Sequence, residues 1–128
     1  MRLTEAQVTE TFTAVVEEFG PTYRYTPDGI EYPSAESGVT CAYETIDADD
    51  TVRRCVVGEI LHRLVDEDTW SAIVDYNNED SVVTIVHERD ISAPRHVLDG
   101  LSQAQQAQDR GATWGAALAE YRLFVDRR

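Results

Sequence analysis

The sequence predicts a mostly helical α+β domain, with about five helices around one core and a small Tyr-rich antiparallel β-hairpin or three-stranded sheet. Two observations predict this class. Apolar residues recur every three or four positions over most of the chain, and the period changes to alternation near the tyrosines of residues 23–43. The length of 128 residues suits one core, and no repeat or linker interrupts the pattern. We therefore expect a single globular domain over residues 1–128.

Residues 4–19 form the first predicted helix. Thr4 and Gln7 have the spacing of a capping box, in which each side chain binds a free backbone amide of the first turn. Apolar residues then recur at helical spacing, at Val8, Phe12, Val15, Val16 and Phe19. Gly20-Pro21 predicts the end of this helix.

The next segment has the alternation of a hairpin. Residues 23–32 place tyrosines on alternate positions around a Pro-Asp-Gly turn, and residues 39–43 alternate in the same way and could add a third strand. Residues 47–50, with the sequence DADD, then predict a turn and the start of the next helix.

The middle of the chain returns to helical spacing. Residues 52–64 predict a helix, and residues 66–70 open a short helix that contains Trp70. Residues 81–88 fit either a strand or a helix, and we favour a short helix.

The C-terminal third predicts two helices joined at a corner. Pro94 suits the first turn of a helix that continues to Gln108, and Gly111 suits the left-handed position after its end. Thr113 can cap the last helix, in which Gly115 and small alanines allow a close approach to a neighbour. The predicted inner face of that helix is Trp114, Ala117, Leu118, Tyr121 and Val125.

Trp114 has two interpretations at this corner. As an anchor, it would pack between the two C-terminal helices, against Leu101 or Ala104, while Gln105 would be exposed. As a binding hot spot, it would be exposed, because tryptophan is enriched at interfaces. The candidate corner consists of Gln108, Asp109, Gly111 and Trp114.

Charge is the most extreme feature of the composition. The chain has 24 acidic residues against 11 basic ones, a net charge of −13. Residues 1–90 carry −14 and residues 91–128 carry +1. Such a field repels phosphates, so we expect no direct binding to nucleic acid and no contact with a membrane.

The acids concentrate in residues 44–80, which hold 11 acidic residues and 3 arginines. Exposed carboxylates could form an interaction surface for a protein partner, or could imitate the phosphates of DNA and block a nucleic-acid-binding protein. The plainer interpretation is that they only keep the chain dissolved. The candidate interaction surface is Asp47, Asp49, Asp50, Asp66, Glu67, Asp68, Glu79 and Asp80.

No metal or cofactor site is expected. The soft ligands are Cys41, Cys55, His62, His87 and His96, and they show none of the close pairs that structural zinc requires. Residues 47–59 resemble a calcium loop only in their first acids, because the glycine and the bidentate glutamate of that motif are not in place.

The cysteine content and the first residues of the chain predict the cellular location of the protein. Two cysteines in a chain of this length indicate a reducing cytoplasm without a disulfide framework, and the sequence leaves open whether Cys41 and Cys55 lie close together. No apolar run approaches the length of a membrane span, and the first residues contain no apolar export segment. We expect a cytoplasmic protein.

Catalytic motifs are missing from the sequence. It contains no Gly-x-Ser-x-Gly elbow, phosphate loop or dinucleotide fingerprint, and residues 87–90, HERD, form no recognisable pattern. A cryptic enzyme is therefore the third hypothesis.

Two segments resemble a group of uncharacterised small proteins from actinobacteria and their phages. Those proteins carry a Cys-x-Val-Gly-x-x-Leu segment, matched here by Cys55, Val57, Gly58 and Leu61. Near the C-terminus they carry Gln-x-x-Gln-Asp-x-Gly-x-x-Trp-Gly, matched by Gln105, Gln108, Asp109, Gly111, Trp114 and Gly115. Val65-Asp66 stands where a glycine would end the first helix of that pattern. The resemblance implies an actinobacterial or phage origin and no particular activity.

These observations lead to one functional hypothesis and a runner-up. We expect a non-enzymatic, acidic accessory or regulatory protein of a phage or actinobacterium that acts by protein–protein interaction, with an unidentified protein partner and without a cofactor. The runner-up is a DNA mimic that inhibits a host nucleic-acid-binding protein. A homo-oligomer is compatible with both.

Overall fold

The computed structural model of the chain describes residues 1–25, 42–46 and 48–126. These residues form six helices and one two-stranded antiparallel sheet, which confirms the mostly helical α+β class with one helix more than expected. The elements are α1 Glu5–Phe19, β1 Glu44–Ile46, β2 Val52–Arg54, α2 Val56–Leu64, α3 Glu67–Asn77, α4 Val82–Glu88, α5 Arg95–Asp109 and α6 Trp114–Val125.

Helix α1 has the predicted ends. Thr4 and Gln7 form the capping box, and Gly20 ends the helix with a φ of 96°, a conformation that glycine adopts without strain. Val8, Phe12, Val15 and Val16 are buried against the rest of the core.

The predicted helix over residues 52–64 is wrong in its first turn. Val52–Arg54 is strand β2, which pairs with β1 in the register Ile46↔Val52, and the helix begins only at Val56. Val52 fits the helical period but is 48% exposed, so its apolar character does not mark a core position. Residues 52–54 form a strand because their backbone pairs with β1, eight residues earlier. The spacing of apolar residues within one segment does not reveal such pairing.

Residues 48–50 form the turn between these strands. The turn was predicted, but the helix start was wrong, because the chain continues into β2. The backbone N–H of Thr51 donates to Asp49 Oδ1 at 3.1 Å, and Asp50 has a φ of 65°, which aspartate tolerates better than most residues. Asp47 lies outside the described residues.

The predicted Tyr-rich hairpin over residues 23–32 lies mostly outside the described residues, as does the third strand over residues 39–43. Their described ends, residues 23–25 and 42–43, are not strands, and β1 begins just afterwards. The Tyr25 hydroxyl donates to the Ala42 carbonyl at 2.9 Å, which links the end of the α1 segment to the start of the sheet.

Helices α3 and α4 begin at side-chain caps. Asp66 and Ser81 accept hydrogen bonds from the backbone amides of Thr69 and Thr84. The helical interpretation of residues 81–88 is confirmed, with Val82, Ile85 and Val86 buried.

The C-terminal pair follows its predicted boundaries closely. Gly111 follows α5 with a φ of 91°, and Thr113 caps α6 by accepting from the Ala116 amide. The two helices pack tightly at Gly100, where a Cβ would lie 2.8 Å from the Tyr121 ring. None of the described helices is both long and apolar enough to span a bilayer.

Candidate functional site

The two segments that carry the sequence resemblance meet inside the protein. Gln108 of α5 accepts a hydrogen bond from the Val56 amide at 2.7 Å, and so satisfies a free donor in the first turn of α2. Gln105 donates to the Tyr43 hydroxyl at 2.8 Å. The expectation that Gln105 is exposed is wrong, since it is only 5% exposed and its amide has a buried partner.

Cys55 and Gly58 complete this joint. The Cys55 Sγ accepts from the Gly58 amide at 3.2 Å and so caps α2, while the Cys55 amide donates to the Tyr43 carbonyl. A Cβ on residue 58 would lie 2.5 Å from that carbonyl oxygen, so the position requires glycine. We call Tyr43, Cys55, Gly58, Gln105 and Gln108 the buried joint.

The buried joint is closed to solvent. Burial is the main cause that raises the pKa of Tyr43 far above its usual range, so its phenol stays neutral at physiological pH. Cys55 is fully buried, and Cys41 lies outside the described residues. The geometry gives these residues a role in holding α2, α5 and the start of β1 together.

Trp114, the first residue of α6, lies in an aromatic corner. Its ring centroid is 4.9 Å from that of Phe19 and 4.5 Å from that of Tyr23, contacts that the sequence did not predict. Two backbone amides in the first turn of α6 donate to backbone carbonyls in the segment after α1. The Trp114 amide donates to the Tyr23 carbonyl, and the Gly115 amide donates to the Pro21 carbonyl. Because the indole is fully buried, the geometry favours the anchor interpretation over an exposed hot spot.

The acidic residues of the candidate interaction surface occupy three places in the described chain: the β1–β2 turn, the start of α3 and the end of α3. Some of them also stabilise local structure. Asp66 caps α3, and the hydrogen bond from the Thr69 amide lowers the pKa of its carboxyl. Hydrogen bonding to Thr51 likewise lowers the pKa of Asp49. Asp80 accepts from the buried Asn77 side chain at 2.8 Å.

A polar cluster at Trp70 joins the sheet to α2 and α3. Glu44 Oε2 accepts from the Trp70 indole at 3.2 Å and from Arg54 Nε at 3.0 Å. Arg54 also donates to Glu59 Oε1 at 3.2 Å, and its guanidinium lies 5.8 Å from the Trp70 ring centre. The sequence did not reveal this cluster, because Arg54 was placed on a helix and the pairing of β2 with β1, which brings Arg54 beside Glu44, was not predicted.

Two grooves border the first turns of α3. The α2–α3 groove has a volume of about 350 Å³ and is lined by His62, Val65, Glu67, Trp70 and Ser71. The α3–α4 groove, of about 290 Å³, is lined by Asp68, Thr69, Ala72, Glu88, Arg89 and Asp90. The acidic start of α3 therefore forms a ridge between two concave surfaces.

Tyr76 extends this surface along α3. It is one turn beyond Ala72 and is 76% exposed, and the Arg89 guanidinium lies 5.8 Å from its ring centre. We call Glu67, Asp68, Tyr76 and Glu79, together with the two grooves, the α3 face.

A further polar contact joins two helices. His96 Nε2 lies 2.7 Å from Glu5 Oε1, which pairs α5 with α1. Among the described residues, no three His, Cys, Asp or Glu side chains are grouped so that they could hold a metal ion. No protein-family model, curated protein or solved structure matches this chain.

Proposed function

We propose that this chain is a non-enzymatic accessory or regulatory protein that binds a basic protein partner through the α3 face. The observation that carries the proposal is the combination of an exposed tyrosine with exposed carboxylates on one helix between two grooves. Tyrosine is enriched at protein interfaces, where its ring adds contact area at a small entropic cost.

The charge balance around α3 supports a basic partner. Two of the nearby arginines are already paired, Arg54 with Glu44 and Glu59, and Arg63 with Glu18 and Glu59, whereas Arg89 lies against the Tyr76 ring. Glu67, Asp68 and Glu79 form no ion pair among the described residues, so their negative charges are left to act on a partner. Complementary charge of this kind speeds association and selects against acidic partners.

The chemistry of the buried groups supports a non-enzymatic role. Tyr43 and Cys55 are the groups with reactive side-chain types in the buried joint, and both are closed to solvent. General acid–base and nucleophilic catalysis need a group within hydrogen-bonding reach of a substrate.

The setting that we propose is the cytoplasm of an actinobacterium or of a cell infected by one of its phages. Its support comes from the sequence: arginine is the only basic residue type besides histidine, and cysteine is scarce.

DNA mimicry is a narrower form of this proposal, in which the partner is a nucleic-acid-binding protein. It is favoured by the acidity of residues 44–80. DNA presents one charge per about 3.4 Å of axis on each strand. The acids of α3 are instead concentrated near its two ends, and Asp68 and Asp75 are separated by about 10 Å of helix axis. We therefore prefer the broader proposal.

The test compares two variants with the same change of net charge. The α3 variant carries Glu67→Gln, Asp68→Asn and Glu79→Gln, and leaves the Asp66 cap intact. The control variant carries Glu10→Gln, Glu17→Gln and Asp126→Asn, at exposed positions on α1 and after α6. Each immobilised protein is used to capture partners from an actinobacterial lysate, and the captured protein is then titrated with salt.

We expect the wild type and the control variant to capture the same basic protein, and the α3 variant to lose it. Capture should also weaken as salt is raised, because exposed charges are screened. Equal capture by all three proteins would contradict the proposal, and so would equal loss by both variants. Displacement of the captured protein by duplex DNA would select the mimicry form.

A further inference from the structure

We propose that the α2–α3 groove binds an arginine side chain of the basic partner. This inference rests on the proposed function and specifies the chemistry of one contact within it. The groove lies between the end of α2 and the start of α3, and Glu67 stands both on the ridge and in the groove lining.

The lining combines apolar walls with hydrogen-bond acceptors. Val65 and Trp70 supply apolar surface, while Glu67 supplies a carboxylate and Ser71 a hydroxyl. The indole N–H of Trp70 already donates to Glu44 outside this lining, so the indole offers a ligand its ring and no free donor. The complementary group is therefore an apolar stem that ends in a cationic donor.

The volume of the groove limits the size of its occupant. Its volume of about 350 Å³ is near the lower end of the 300–1,000 Å³ typical of ligand sites. A single side chain suits this space better than a coenzyme or nucleotide does.

The protein itself shows how a guanidinium is held at Trp70. Arg54 lies 5.8 Å from the ring centre while its Nε donates to the Glu44 carboxylate. An incoming arginine would use the same pair of contacts, an aromatic surface and a carboxylate, with Glu67 in place of Glu44. Arginine suits this arrangement better than lysine, because its planar head stacks on rings and donates through several N–H groups at once.

The α3–α4 groove is less suited to a cation. Arg89 lines it and places a positive charge within it, next to the carboxylates of Asp68 and Glu88. A second guanidinium there would meet this charge, for which the structure shows no ion pair among the described residues. Arg54, which lies against the Trp70 ring of the α2–α3 groove, is instead neutralised by Glu44 and Glu59.

The test uses capped hexa-arginine and hexa-lysine peptides as probes of the whole protein. Binding is followed by the NMR resonances of the backbone amides and of the two indole N–H groups. Trp70→Phe identifies the indole signals. The affinity for hexa-arginine is then compared between Glu67→Gln and the charge-matched control Glu10→Gln, which is exposed on α1.

We expect hexa-arginine to shift the Trp70 indole and the amides of residues 67–71, and to leave the Trp114 indole unchanged. Glu67→Gln should weaken binding about fivefold, the loss of roughly one exposed charged contact, whereas Glu10→Gln should change it less than about twofold. Hexa-lysine should bind more weakly and shift the Trp70 indole less.

Three results would overturn the inference: shifts spread evenly over the acidic surface, equal effects of the two glutamate variants, or equal binding of the two peptides. These results are distinct from a failure of the proposed function. If the partner is still captured through the acids of the α3 face while the peptide fails to localise, only the groove assignment is wrong.

Discussion

The two tryptophans of this chain lie in opposite kinds of surroundings. Trp114 is fully buried between Phe19 and Tyr23, and its indole N–H has no hydrogen-bond partner in the described part of the chain. Trp70 is nearly as buried, at 7% exposure, but its indole donates to Glu44, and the rings of His62 and Trp70 meet edge to face.

This difference separates a residue that holds the fold from one that shapes a surface. The corner at Trp114 gains stability from apolar burial, which is why an unpaired N–H is tolerated there. Trp70 is held by charged partners that fix its orientation at the wall of a groove. The partners of a buried aromatic ring, and not its burial alone, therefore show which of the two roles it has.

The largest expected effect on stability comes from removing the Trp114 side chain at the corner. Trp114→Ala should lower the free energy of unfolding by about 3–5 kcal/mol, because it leaves a cavity where a whole indole was buried. Urea denaturation measures this loss, with Gln106→Ala on the exposed side of α5 as the control, expected within about 0.5 kcal/mol of wild type. A Trp114→Ala protein of unchanged stability that no longer captured its partner would instead make the corner the functional site.

The second prediction concerns the buried joint, which connects the corner helix α5 to α2. Gln108→Ala should cost about 2 kcal/mol, since it leaves the Val56 amide buried without its acceptor. The same urea experiment applies, and Gln106→Ala again serves as the control. If the Gln108 variant matched the control, the hydrogen bond between Gln108 and the Val56 amide would not stabilise the fold.

Local signals were enough to predict the helix ends at the corner, but neither the aromatic contacts of Trp114 nor the polar cluster at Trp70. Gly111 and Thr113 act on helix ends within a few residues of themselves, so their positions along the chain were enough to predict the boundaries of α5 and α6. The cluster at Trp70 needs Glu44 and Arg54 from paired strands, and that pairing was hidden because Val52 fits a helical period.

The glutamines of α5 also show that local patterns do not reveal partners that are distant in sequence. Gln108 continues the helical spacing of Leu101 and Ala104, and the structure buries it. Gln105 was expected to be exposed, but a glutamine can be buried when its amide finds a partner. That partner, the Tyr43 hydroxyl, is 62 residues away in sequence, so no local pattern could reveal it.

The third prediction uses double-mutant cycles to test the difference between the surroundings of Trp70 and those of Trp114. Trp70→Phe and Glu44→Gln should each cost about 1 kcal/mol, and their effects should be coupled by about 0.5–1 kcal/mol, because the two side chains share one hydrogen bond. Trp114→Phe combined with Glu44→Gln should show no coupling beyond about 0.3 kcal/mol. Denaturation of the single and double variants measures both values. Equal coupling in the two cycles would mean that the polar partners of Trp70 are energetically unimportant.

The smallest expected effect concerns the cap of the helix that carries Trp70. The hydrogen bond from the Thr69 amide lowers the pKa of Asp66. The Asp66 carboxylate therefore binds a proton less readily in the folded protein than in the unfolded chain. The stabilising contribution is therefore present above the ordinary aspartate pKa and is lost as the pH falls through the lowered value in the folded protein. Asp66→Ala should remove this pH-dependent contribution, whereas Asp66→Asn keeps a capping oxygen that does not titrate. The check is the melting temperature of wild type and both variants from neutral pH down to acidic pH. The gap between wild type and Asp66→Ala should narrow at the acidic end, and a gap that stayed constant would show that the Asp66 carboxylate does not act through its charged form.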